Sequence, residues 1–229
     1  MKTLLKRNLM LRKYTLIVYV LMVLAAPIVL PLFHGTSALN FILKNIFTTL
    51  IMFIMMFDSG QVFRLQFKLG GNRAYYFNHS LPFSARQQLN AHYLTTLLLT
   101  LAGALVLIVF NDVPQGAEIN SIELMTPLTF VAINLFGHAI AFPKSSEVRR
   151  DFIPYWGYIV VANIVTPILI VTSFFFVAFL TRQIDRLSDK VIEVFINHFV
   201  FWTSLLCIAI FIGTYFYQLR KIKLNQQSL

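Results

Sequence analysis

Asn134 and His138 stand four residues apart in the apolar run "LTFVAINLFGHAIAF", so a helix there would carry both on one face. A carboxamide and an imidazole in hydrocarbon usually hydrogen-bond to a neighbouring helix; lining an internal path is the other reading. The chain has five histidines, His34, His79, His92, His138 and His198, and no two have metal-ligand spacing with a carboxylate alongside. Cys207 is the single cysteine, which excludes an intrachain disulfide and a cysteine metal cluster. No G-x-x-x-x-G-K-[ST] occurs, since "LGGNRA" lacks both the lysine and the spacing, so the chain is not expected to hydrolyse a nucleotide itself. G-x-S-x-G and H-E-x-x-H are also missing. The expectation is a protein that is not an enzyme and that binds no cofactor or metal of its own.

Two further polar residues interrupt apolar runs. Lys44 sits about two turns from one end of its run, where its stem either snorkels to the membrane surface or faces a pore. Asn163, with Pro167 four residues on, marks a break or kink.

The elements that carry these residues follow from composition. Of 229 residues, 58% are hydrophobic and 12% charged, whereas a soluble domain has about half and a quarter. Continuous apolar runs long enough to cross a bilayer indicate helices rather than a barrel. Six spans are expected: Tyr14–Phe33, Leu39–Phe57, Tyr93–Phe110, Ile122–Phe142, Tyr155–Leu180 and Val194–Tyr217. The fold class is therefore an all-α integral membrane protein in a single domain over residues 1–229.

The net charge of +10 sorts by side. Lys2, Lys6, Arg7, Arg12 and Lys13 precede span one; Arg64, Lys68, Arg73 and Arg86 follow span two. Lys144, Arg149 and Arg150 follow span four, and Arg220, Lys221 and Lys223 end the chain. With six spans all of these share one face. The other face has Arg182, Arg186 and Lys190 together with Asp112, Glu118, Glu123, Asp185, Asp189 and Glu193. Both termini are then expected in the cytosol, with the basic charge going to the membrane and not to nucleic acid. The opening is apolar for longer than a signal peptide, so it is read as the first span. Residues 1–13 are imperfectly amphipathic, with Leu4, Leu5 and Leu11 broadly on one face. Either a short helix along the membrane surface or a disordered basic leader fits.

The longest connection, residues 58–92, is expected to be structured. Asp58 and Gly60 interrupt the run of span two, and Gly70-Gly71 breaks the chain again. Asn72 is a suitable N-cap for a two-turn helix through "RAYYFNHS". Pro82 turns the chain at Leu81, and Ser84 with Gln87 forms a capping box that restarts a helix running on into span three. Arg73, Tyr75, Tyr76, Phe77 and His79 make either a protein-docking face or an interfacial aromatic belt.

The segment "SLPFSARQQLNAHYL" resembles the one before the third span in permease subunits of ABC-2-type ABC transporters. The opening "RNLMLRKYTLIVYVL" and the small size are similar to permeases of small Gram-positive exporters, the phenol-soluble modulin exporter among them. The resemblance covers the chain in layout and some fifteen residues in motif. It implies a coupling helix over Asn72–His79, its angle fixed by Leu81 and Pro82, docking on a cytosolic ATPase. ATP and magnesium would then belong to that partner. It further implies a second permease copy and a place in the cell membrane. The connection "PKSSEVRRDFIPY" would face the same partner with Glu147, Arg149, Arg150 and Asp151, although Arg149 and Arg150 equally serve as topology anchors. With Asp and Glu absent from span centres, the exported substrate is expected to be an amphipathic or hydrophobic peptide such as a toxin or bacteriocin. A gradient-driven transporter and a non-transporting immunity protein are the alternatives.

Overall fold

A computed structural model describes residues 1–33, 37–70, 80–110, 126–141, 154–180 and 189–227, leaving out the side chains of residues 32, 33, 189–193 and 225–227. These residues form helices, with no strand among them. The helices are α1 (Lys2–Leu11), α2 (Lys13–Phe33), α3 (Ala38–Asp58), α4 (Gln61–Lys68), α5 (Ala85–Phe110), α6 (Pro127–Ala141), α7 (Tyr155–Leu180) and α8 (Asp189–Gln227).

Five of them, α2, α3, α5, α7 and α8, are long and apolar enough to cross a membrane. Helix α6 is apolar but shorter in its described part, at 15 residues or about 22 Å. The fourth expected span began at Ile122, and residues 122–125 lie outside the described set. Large side chains such as Ile28, Phe41, Ile168 and Phe179 are at least 59% exposed. Water would not support so much open hydrocarbon, whereas lipid would. The chain has the make-up of an all-α multi-pass membrane protein.

The core is built around α6. Its Phe130 joins Tyr19 of α2, Ile51 and Met55 of α3, and Ala104, Val106 and Leu107 of α5. Its Ala141 packs with Val62 and Phe63 of α4 and with Tyr158 and Ile159 of α7, and its Leu135 with Leu89, Tyr93 and Phe211. Contact between α5 and α6 is close at Gly103, where an added Cβ would lie 2.5 Å from the Phe130 ring. Phe130 meets the far part of α5 and Leu135 meets Leu89, so the two helices run antiparallel.

Local chemistry sets several boundaries. Ser37 caps α3, its Oγ accepting from the Asn40 N–H at 3.2 Å. Helix α4 stops at Gly70, whose φ of 108° is a left-handed value that other residues resist. The expected capping box is present: the Gln87 N–H donates to Ser84 Oγ at 3.3 Å and the Ser84 N–H to Gln87 Oε1 at 3.2 Å. From there α5 runs unbroken for 26 residues. Helix α7 contains a π-helical turn at Val161–Val165. Pro167 has no N–H to give, and its ring crowds the carbonyl four residues back. The turn widens in response, and Thr166 Oγ1 bonds the Val161 carbonyl at 2.8 Å.

Two ends can be distinguished. At one, Arg12, Asp58, Asn134 and Gln61 meet, with Tyr155 beside them; this is the elbow end. At the other, α2 ends and α3 begins; this is the hairpin end.

Candidate functional site

Asp58 ends α3, and Ser59 and Gly60 bend the chain into α4. Gly60 is required for space, because a Cβ would lie 2.8 Å from the Tyr155 ring. Arg12 occupies the corresponding bend between α1 and α2, and its N–H returns to the Leu9 carbonyl at 3.0 Å. The two bends lie against each other, and their side chains close into a buried knot.

Asp58 is 4% exposed and both its oxygens are engaged. Oδ1 accepts from Arg12 Nη2 at 2.7 Å and from Arg64 Nη1. Oδ2 accepts from Gln61 Nε2 at 2.5 Å and from the Tyr19 hydroxyl. Gln61 also donates to the Tyr19 hydroxyl at 2.9 Å and accepts from Arg12 at 2.7 Å. One carboxylate thus faces two guanidiniums. Arg12 is 5% exposed, so its charge depends on that carboxylate. The side chain of Arg64 is 39% exposed and lies over the Tyr155 ring at 5.2 Å.

Two more helices reach the same bend. Asn134 of α6 accepts the Gln61 N–H at 3.1 Å and donates to the Phe130 carbonyl at 2.9 Å. It supplies from another helix the cap that Gly60 has no side chain to give. Asn163, in the wide turn of α7, donates to Ser59 Oγ at 3.1 Å and to the Ile159 carbonyl at 3.1 Å. The Tyr155 hydroxyl bonds the Phe57 carbonyl.

A second polar seam lies alongside. Asn8 of α1 is fully buried and donates to Thr95 Oγ1 at 3.3 Å; Arg7 donates to Asn8 Oδ1 at 3.1 Å. Burial lowers the Arg7 guanidinium from its ordinary value. His92, Thr96 and Thr100 continue the seam along α5 at intervals of four. The N-terminal segment is thus a helix docked on α5, with Leu4 and Asn8 buried, and not a disordered leader.

The expected coupling residues Asn72, Arg73, Tyr75, Tyr76, Phe77 and His79 lie outside the described residues, as do Glu147, Arg149, Arg150 and Asp151. Leu81 is half-buried and Pro82 exposed, in a tight turn where the Phe83 N–H bonds the Leu81 carbonyl at 2.7 Å. Asn134 and Asn163 converge on the elbow. His138, one turn from Asn134, instead sits in an aromatic box, 4.2 Å from the Tyr93 ring and 5.2 Å from Phe211. Lys44 is half-exposed near the hairpin end, away from the knot.

Sequence reasoning missed Arg12, Tyr19, Asp58, Gln61 and Arg64 as a unit, and helix α4 with them. Asp58 was legible only as the end of an apolar run and Arg12 only as a topology cation. The signal was the carboxylate itself, standing with few other acids on a face crowded with cations. Its chemistry is mechanical: a carboxylate with four donors is neither a free base nor an open metal ligand. No group of three metal-binding side chains occurs among the described residues.

No protein-family model, curated protein or solved structure matches this chain.

Proposed function

We propose that this chain is the membrane-embedded permease subunit of an ATP-driven exporter of the ABC-2 type. It works with a separate cytosolic ATPase and a second permease copy, and it moves amphipathic or hydrophobic peptides across the cell membrane. Six spans with both termini in the cytosol put the elbow end on the cytosolic side, in keeping with the charge distribution.

The observation that carries the reading is the Asp58 knot. The chain leaving α3 toward the proposed coupling segment is not a loose linker. Its first helix, α4, has Gln61, Val62, Phe63 and Leu65 buried; Gln61 ties it to Arg12 between α1 and α2 and to Asn134 of α6, and Ser59 in the bend before it is held by Asn163 of α7. A push on residues 72–79 would therefore be delivered to several spans together. Packed, discretely bonded elements of this kind transmit displacement instead of absorbing it.

The test is co-purification. An affinity-tagged chain is expected to bring down an ATP-binding subunit, and Tyr75→Asp with Tyr76→Asp is expected to abolish that association with membrane insertion intact. Undiminished co-purification of the double variant would remove the docking role.

A further inference from the structure

One face of α3 runs its whole length: Asn40, Lys44, Thr48, Ile51, Met55 and Asp58 follow at intervals of three or four. Toward the elbow this face is core, with Ile51 at 7%, Met55 at 0% and Asp58 at 4% exposure. Toward the hairpin end the same face turns polar, and none of the described residues buries it. Asn40 and Lys44 are half-exposed, Thr48 is exposed, and no residue of 38–50 is buried. The opposite face is mainly apolar, with Ile42, Ile46 and Leu50 all at least half exposed and Thr49 as its one polar residue.

Lipid suits that second face and not the first. A cation and two further polar side chains would leave hydrogen-bonding groups unmet in hydrocarbon, whereas the neighbouring Asn45 donates to the Phe41 carbonyl at 2.9 Å. Thr48 lies about 15 Å along the helix from Ala38, near the middle of the span, too deep for headgroups to reach. No described carboxylate answers Lys44. Asp58, the one acid whose side chain is described, is about 21 Å away along α3 and already engaged. A second copy docking face to face would bring lysine against lysine.

We propose that the hairpin half of this α3 face borders a water-filled space and that Lys44, with Asn40 and Thr48, takes an anionic group there: the carboxylate of an amphipathic cargo. The identity of the cargo rests on the transport reading; the water-lined face does not. Lys44 supplies a compact charge with three donors, and Asn40 and Thr48 lie one turn to either side to share the oxygens.

Single cysteines placed in the full chain carrying Cys207→Ser test both parts without any ATPase. Thr48→Cys is expected to react with membrane-impermeant methanethiosulfonates, and with the anionic sulfonatoethyl reagent faster than with the cationic trimethylammonium one. Ile46→Cys is expected to stay unreactive. Lys44→Gln should lower the anionic-to-cationic rate ratio roughly tenfold, and Lys44→Arg should keep it. If Thr48→Cys reacts no faster than Ile46→Cys, the face meets lipid, Lys44 merely snorkels, and the proposal falls. An unchanged ratio in Lys44→Gln removes the anion site. A synthetic amphipathic helical peptide with a free C-terminal carboxylate should slow labelling of Thr48→Cys more than its amidated form. Equal protection or none overturns the cargo assignment. So does protection in phosphatidylglycerol vesicles, absent in phosphatidylcholine, which would make a lipid headgroup the anion.

Discussion

The two ends of α3 hold polar groups in opposite circumstances. At the elbow end Asp58 is saturated by Arg12, Tyr19, Gln61 and Arg64, in a pocket closed by α6 and α7. At the hairpin end Lys44 and Thr48 lie on the same face, and nothing described covers them. Polar side chains in a membrane protein thus do two kinds of work on a single helix. Where every donor meets an acceptor they lock elements together; where no described residue meets them, they are proposed above to hold an anionic group.

That contrast can be broken most directly at Asp58. Asp58→Ala leaves the buried Arg12 guanidinium without its counter-charge and is expected to cost about 3–5 kcal/mol. The readout is a fall in the thermal unfolding midpoint of the purified chain. Adding Arg12→Met should restore much of the loss, because the penalty comes from the stranded charge. Failure of the double variant to recover would mean that the bend geometry, not the ion pair, sets the stability.

Packing offers the next contrast. Gly103→Ala drives a Cβ into Phe130 and should destabilise by about 1–3 kcal/mol. Gly213→Ala meets nothing within 4 Å, so its main effect is the helix preference for alanine, a gain of about 1 kcal/mol. Opposite shifts in unfolding midpoint are expected; equal shifts would erase the distinction between the packed core and the lipid-facing surface. The smallest effect is expected at Asn134. Asn134→Ala removes the acceptor for the Gln61 N–H and should cost about 1 kcal/mol, seen as faster hydrogen exchange at the start of α4 with α8 unchanged.

Local features were the legible part. The long apolar runs gave α2, α3, α5 and α7 to within a few residues at most ends, although α5 starts eight residues before the expected span because the capped helix joins it. The Ser84–Gln87 box followed from four consecutive residues. Asn163 and Pro167 marked the place where α7 departs from α-helical geometry, without telling which way it departs. The knot was illegible for the converse reason. Arg12, Asp58 and Asn134 are 46 and 76 positions apart along the chain, and nothing local to any of them announces the others. Helix α4 was hidden too, since nine residues between two glycines look like a broken stretch until Val62 and Phe63 find a core.

The wide turn at Val161–Val165 has one consequence of its own. It holds one residue beyond what regular winding needs. Tightening it to α-helical form would swing everything from Thr166 onward by about 100° around the helix axis. The phenylalanines at 174, 175 and 176 would then exchange places, presenting a different ring to α8 where Phe174 now meets Phe195 at 4.3 Å.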